Sequence, residues 1–324
     1  LVPKREQRPG VDAAELGTLY HEAAERFTHA VTALPEFPEV SVEVCDKLMD
    51  EAVSPLIDAW RESPMGASRR GEAVARRIRR TAKRTARNIV SQYADSSFRP
   101  AQMEFVFGQN GLSPIVLELG DGTFVYLQGR IDRVDVMTGG GLRVIDYKSG
   151  SRKFDPTLVY WGLQLQLLLY LAAALARVPG SHAAGFFYCR IADPTVQTES
   201  RIREEVERQI AKKLALSGIS LSDVTILRAQ GGQQAAMVTK DGKPNGRFAA
   251  SMVDEAGMEK LLTFARNKAA ALADKIYAGE IDDSPVERET FNACQNCEYS
   301  AICVFDPLRK PRRRLTAKRL EDLT

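Results

Sequence analysis

Histidine and cysteine are scarce: three and five residues respectively in a chain of 324. No apolar run approaches the roughly 18 residues that span a bilayer, and no secretory signal opens the chain, so a membrane partner is not expected. The odd number of cysteines, three of them crowded together (Cys294, Cys297 and Cys303), does not make a disulfide framework. It points to a reducing compartment and to a metal or cluster site. The stretch "HEAAE" at 21–25 looks like half of a zinc-protease H-E-x-x-H helix. Glu25 stands where the second histidine is needed, so that reading fails on ligand count. There is no G-x-x-x-x-G-K-S/T segment to cradle a nucleotide phosphate, so nothing here encodes ATP hydrolysis of that kind. No internal repeat is visible.

What is present is an ordinary globular composition, 44% hydrophobic and 27% charged, long enough for one large domain or two modest ones. The first residue is Leu1, and "LVPKREQRPG" reads as the continuation of a longer protein. Net charge is only +3, but it is unevenly spread. Nine basic residues lie between Arg69 and Arg87 (including Arg76, Arg79, Arg80 and Lys83) against one acid, Glu72. "RKPRRRLTAKR" at 309–319 holds seven more and no acid. One such run is more often a solvated helix face or a frayed tail. Two in a nearly neutral chain point to a polyanion.

Periodicity predicts helices over 12–34 (Asp12 as the cap), 41–61 and 68–93, the last carrying the first basic run. From "RPAQMEFVFG" (99–108) the period becomes strand-like. "IVLEL", "FVYLQGRIDRVDV" and "GLRVIDYKS" follow as strands between glycine-rich turns, an expected antiparallel meander. One apolar helix is expected over 156–178, a buried strand over 183–191 and a charged helix over 200–215. An irregular stretch (218–250) and a long helix (252–278) complete the pattern. This is α/β, a mixed central sheet wrapped by helical extensions.

Chemistry concentrates in "GLRVIDYKSG" (141–150). Asp146 and Lys148 are two apart on a strand and share a face. Asp132 in "GRIDRVDV" lies on the preceding strand, where antiparallel pairing brings the two carboxylates together. Two such carboxylates repel unless a cation lies between them, and oxygen ligands select a hard ion such as Mg²⁺ or Mn²⁺. A lysine beside the metal ligand can orient water or stabilise developing charge. The bland alternative is two surface ion pairs, Asp132–Arg133 and Asp146–Lys148. Gln166 and Tyr170, four apart, share one helical face.

"GRIDRVDV", then "VIDYKSG", then "GLQLQLLLYL" resembles the RecB-type branch of the PD-(D/E)XK nuclease superfamily, and within it the AddB-type nuclease domains of helicase–nucleases. The resemblance runs from "GTLYHEAAERF" (17–27) to "CQNCEYSAICVFDP" (294–307). It implies a PD-(D/E)XK, restriction-endonuclease-like fold and Mg²⁺- or Mn²⁺-dependent cleavage of single-stranded DNA. The DNA would be delivered by an AddA-like helicase–nuclease subunit during resection of double-strand ends, in a bacterial cytoplasm. It implies His21, Asp132, Asp146 and the Tyr147 main-chain carbonyl as metal ligands, Lys148 as the catalytic lysine, and Gln166 and Tyr170 as the Q-x-x-x-Y pair. Glu104 would be an acidic residue on the strand leading into the site. Without the resemblance, His21 reads as a partly buried helix residue.

The resemblance further implies that Cys294, Cys297 and Cys303 bind a structural 4Fe–4S cluster whose fourth cysteine lies upstream of the histidine helix. Cys45 and Cys189 match no such position. The basic helix, through Arg76, Arg79, Arg80 and Lys83, is expected to contact DNA phosphates. The expected divisions are a helical part (1–98), a catalytic core (99–195), an insertion with a long helix (196–280) and the cysteine segment with its basic tail (281–324). Two alternatives stay open: a stand-alone exonuclease of the CRISPR-associated RecB-like type, and a non-catalytic DNA-binding scaffold with a relic site.

Overall fold

In the computed structural model, the described residues are 13–63, 66–109, 112–150, 152–197, 202–282, 284–288, 291–299, 302–303 and 305–324. The expected cap Asp12 lies outside them. Helix α1 (Ala13–Thr32) repeats apolar residues at helical spacing, and Leu19, Ala23, Phe27 and Val31 are all buried. Helix α2 (Val42–Arg61) starts on Ser41, whose side chain accepts the Val44 N–H. Helix α3 (Arg69–Ser91) starts on Ser68 in the same way. Its buried stripe is rich in small residues (Ala75, Ala82, Ala86), which lets it pack closely on α1 and α2 while its arginines stay outside.

The strands follow: β1 (Phe98–Phe107), β2 (Ile115–Glu118), β3 (Phe124–Leu127), β4 (Gly129–Met137) and β5 (Gly141–Lys148). The expected simple meander is not what forms. Strand β1 pairs directly with β4, and β2 and β3 make a separate hairpin. The single expected helix over 156–178 is also two: α4 (Pro156–Tyr160) and α5 (Gln166–Arg177). The reason for the break is Gly162, whose φ of +82° is left-handed and which lies against α8 (Glu255–Tyr277). A Cβ there would sit 2.7 Å from Leu272 Cδ1.

Strand β6 (His182–Arg190) runs parallel to β5, the crossover being α4 and α5. Helix α6 (Arg203–Leu214) is followed by β7 (Ser217–Leu221), α7 (Val224–Ala229) and β8 (Met252–Val253). Strand β7 forms where an irregular stretch (218–250) is expected and β8 where the long helix (252–278) is expected to begin; together they extend the central sheet to six strands, in the order β1-β4-β5-β6-β7-β8. Near the C-terminus, β9 (Val286–Arg288) pairs with β10 (Phe291–Asn292) and with β11 (Arg313–Arg314). The basic tail is tied back rather than frayed, with Leu315 and Leu323 buried. No helix among the described residues is long and apolar enough to cross a membrane.

Alternation along β5 and β6 divides the core. Val144, Phe186 and Tyr188 face α5 and α8, whereas Ile145, Tyr147, Phe187 and Cys189 face the α1–α3 layer. The second face also holds charge. Asp135 accepts from Tyr93 Oη and Arg143 Nε (both 2.9 Å) and lies 3.2 Å from Arg133 Nε, with both arginines fully buried.

Candidate metal centre and active site

Sheet register lines up the acidic residues. Met103 pairs with Arg133 and Phe105 with Ile131, which leaves Glu104 opposite Asp132. Arg133 pairs with Ile145, so one step further Asp132 stands opposite Asp146. Asp146 pairs with Tyr188 on β6. Three carboxylates therefore run in a row across β1, β4 and β5, on the face that meets α5. Glu104 takes part at a conformational cost: its φ is +47°, a region L-residues with long side chains avoid.

Helix α1 brings in His21, whose Nδ1 is 3.3 Å from Asp132 Oδ1. The other Asp132 oxygen accepts the Tyr147 N–H at 2.6 Å, which fixes the carboxylate's orientation. One ligand atom each from His21, Glu104 and Asp132 falls within 4.8 Å of the others, the only such trio among the described residues. Asp146 is outside that tight trio and is 1% exposed in its side chain; its Oδ2 lies 2.6 Å from Lys148 Nζ. That contact lacks hydrogen-bond direction, as does the 2.6 Å approach of Arg130 Nε to Glu104 Oε2. Both carboxylates thus keep a buried oxygen that no well-directed donor satisfies. An oxygen-rich donor set with one imidazole and unsatisfied lone pairs fits a divalent cation.

The electrostatics agree. Burial, and then the charge of Asp132, pushes the Asp146 carboxyl up to about 6. Glu104 is raised by the same two causes in the same order. For His21, burial disfavours the charged ring, but the hydrogen bond and charge of Asp132, aided by Asp146, outweigh it and raise the pKa. Without a cation the site holds on to protons, as crowded carboxylates must.

Gln166 opens α5 and donates from Nε2 to Tyr170 Oη at 2.8 Å, which is the partner its half-buried amide needs. Tyr170 packs edge-on against Phe107, and Gly129 leaves the room for it. A Cβ on Gly129 would lie 2.8 Å from the Phe107 ring and 3.4 Å from Tyr170. Gly129→Ala is expected to cost about 1–3 kcal/mol through overpacking. A thermal melt checks this, and an unchanged or higher Tm would mean that the rings yield freely.

The Tyr147 hydroxyl reaches the opposite face, where Arg133 Nη1 donates to it at 3.1 Å, while its ring stays edge-on to His21 with 6.0 Å between ring centroids. Arg133 is on that face too, and the surface pair Asp132–Arg133 does not form. Sequence reasoning missed Arg130 as the neighbour of Glu104. It also missed Tyr188 as the fourth residue of the row, because which strands pair is not written in any one of them.

The basic helix is less free than its composition implied. Lys83 and Arg79 lie 2.5 and 3.3 Å from Asp50, and Arg80 lies 2.6 Å from Asp193. Arg84 pairs with Glu207 and Arg87 with Asp46. Arg76 is exposed and has no ion pair among the described residues. Far along the chain, Cys294 is half-buried and Cys297 and Cys303 are exposed, all as free thiols. Cys45 and Cys189 are sealed in the core between the sheet and α1–α3. The three outer cysteines supply three thiolates of the four that a cubane cluster takes, so the described residues fit that group only in part.

Comparison with known proteins gives consistent results. A 324-residue alignment to the B subunit of the ATP-dependent helicase/deoxyribonuclease from Alkaliphilus metalliredigens is 31% identical and covers 94% of this chain and 28% of that protein. The proteins of the same name from Clostridium tetani and Caldanaerobacter subterraneus are each 33% identical over 314 residues, 27% of their lengths. The chain therefore spans less than a third of the curated relatives it matches. The profile of the PD-(D/E)XK nuclease superfamily matches residues 1–304. With the mixed sheet, the row of carboxylates and Lys148 already in place, this shows that the chain belongs to the PD-(D/E)XK nuclease superfamily.

Proposed function

We propose that this chain is the nuclease part of a bacterial cytoplasmic helicase–nuclease, hydrolysing phosphodiester bonds of single-stranded DNA as unwound ends are resected for recombinational repair. The observation that carries this is the row Glu104–Asp132–Asp146 with Lys148 on the same face. His21, Glu104, Asp132 and Asp146 would hold Mg²⁺ or Mn²⁺, with the Tyr147 carbonyl as a further donor. When bound, the ion lowers the pKa of water and neutralises phosphoryl charge.

The remaining tasks belong to the chain itself. The Tyr147 N–H and His21 hold Asp132 in one orientation. Lys148, anchored to Asp146, presents an ammonium that orients the attacking water and meets the charge developing on phosphate. Gln166 and Tyr170 position the scissile strand against this row. The relatives share a name that makes each the B subunit of a helicase/deoxyribonuclease, which supports an AddA-like motor as the partner. On α3, Arg79, Arg80 and Lys83 can meet phosphate only by giving up their acidic partners. Metal-dependent degradation of a labelled single strand tests the reading, and no cleavage in either Mg²⁺ or Mn²⁺ would reject it.

We further propose that Cys294, Cys297 and Cys303 ligate an iron–sulfur cluster whose fourth ligand is neither Cys45 nor Cys189. Both are packed in the core, and moving either would open a cavity. Anaerobic reconstitution of this chain is expected to give substoichiometric iron and sulfide, with a chromophore that bleaches in air. A stoichiometric, air-stable cluster would show that a core cysteine has left its place.

A further inference from the structure

A groove of about 1710 Å³ opens one strand beyond the carboxylate row. Its near wall is β6: Tyr188 is the register partner of Asp146, and Arg190 that of Lys148. From there it runs past the loop after β5 and the end of α6 to the start of α8. Small-molecule pockets hold roughly 300–1,000 Å³, so the space suits a polymer better than a metabolite.

The lining is strongly basic. Arg152, Lys153, Arg190, Lys212, Lys213 and Lys260 all contribute, with Arg319 from the C-terminal segment, against three acids. Two of those acids are already engaged. Asp193 is held by Arg80 at 2.6 Å and by Arg84 at 3.5 Å, and Asp254 caps α8 by accepting the Gly257 N–H. None of Arg152, Lys153, Lys212 and Lys260 is in an ion pair among the described residues, and all four are exposed. This is the reverse of α3, where five of the basic side chains have acidic partners. Two half-buried rings, Phe154 and Phe248, lie among the groove's cations. Alternating cations and apolar rings is how sequence-independent sites hold single-stranded nucleic acid.

We infer that this groove, and not the exposed face of α3, is the track along which a single strand of nucleic acid lies when its phosphodiester bond reaches the carboxylate row. The inference rests on the nuclease reading and adds the path of the strand to it. It gives the α3 arginines a different job: Arg80 and Arg84 neutralise Asp193 and so remove a negative charge from the groove wall.

The test compares two variants of the whole chain, Arg152→Gln/Lys212→Gln/Lys260→Gln and Arg76→Gln/Arg77→Gln. Binding of a labelled oligothymidylate is titrated against salt in Ca²⁺, and cleavage is measured in Mg²⁺. Loss of three phosphate contacts should reduce the slope of log K against log salt by about 2 and weaken binding at least tenfold at low salt. The α3 variant should keep the wild-type slope. Cleavage of an oligonucleotide too short to reach beyond the carboxylate row should be unchanged in the groove variant, with circular dichroism confirming that it is folded. Wild-type slope and affinity in the groove variant would overturn the inference, as would a reduced slope confined to the α3 variant, or failure of the wild-type chain to bind oligothymidylate. If the wild-type chain binds oligothymidylate but cleaves nothing with either metal, the nuclease reading fails while the groove still stands as a binding track.

Discussion

Asp146→Ala is expected to abolish metal-dependent cleavage while leaving a folded protein that still binds DNA. Charge stabilisation by a bound divalent ion contributes several kcal/mol to such a transition state, so the loss should reach about three decades in rate. Stability should move the other way. Asp146 is buried beside Asp132, and its pKa rises from 3.8 to about 6. A carboxyl raised in this manner favours the folded state while protonated. That contribution is complete below about pH 4 and is lost as pH rises through about 6. At about 1.4 kcal/mol per tenfold in proton affinity, the ionised side chain costs the metal-free fold on the order of 3 kcal/mol at neutral pH. Removing it should therefore hold or raise Tm at neutral pH without metal and flatten the decline of stability between pH 4 and 6. Urea titrations across that range, with and without Mg²⁺, measure both effects. Cleavage by the variant near the wild-type rate would remove Asp146 from the site.

The row of carboxylates was legible because its parts are local. Period-2 alternation in "GRIDRVDV" and "GLRVIDYKSG", with glycines between, leaves one economical pairing, and that pairing sets Asp132 opposite Asp146. Glu104 was harder to read: its place depends on β1 skipping the β2–β3 hairpin to pair with β4, a non-local choice. The break before Gln166 was hidden because "VYWGLQLQ" stays apolar at helical spacing, and only the contact of Gly162 with Leu272 shows why the chain turns there. Strands β7 and β8 are too short for their period to register against the surrounding glycines and glutamines. The basic helix misled for a related reason. Its partners Asp46, Asp50, Asp193 and Glu207 come from α2, the segment after β6 and α6, so a run that looks unpaired along the chain is largely paired in space.

The least legible feature carries the other large effect. Arg133, Asp135 and Arg143 read as the polar half of two strands, yet all three are fully buried against α3. One carboxylate serves two guanidinium groups, three of the remaining nitrogens donate to neutral partners, and Arg143 Nη2 has no hydrogen-bond partner among the described residues. Arg133 Nη2 donates to Gln92 Oε1 at 2.5 Å and Nη1 to the Tyr147 hydroxyl at 3.1 Å; Arg143 Nη1 donates to Gln230 Oε1 at 2.8 Å. The rings of Tyr93 and Phe98 lie 5.2 and 4.4 Å from the Arg133 and Arg143 guanidinium carbons. Asp135→Ala leaves two cations in the core with no counter-charge, and removing one partner of a buried pair typically costs about 3–5 kcal/mol. Asp135→Asn keeps the shape but not the charge, so it should recover only part of that. The damage should reach the site as well, because this network pins β4 between β1 and β5 and so sets Asp132 between Glu104 and Asp146. We expect the alanine variant to unfold at markedly lower urea and, where still folded, to bind Mn²⁺ more weakly than the wild type. A loss below about 1 kcal/mol, within the range of an ordinary surface pair, would mean that water reaches this network and that the two arginines are not the buried charges the packing makes them.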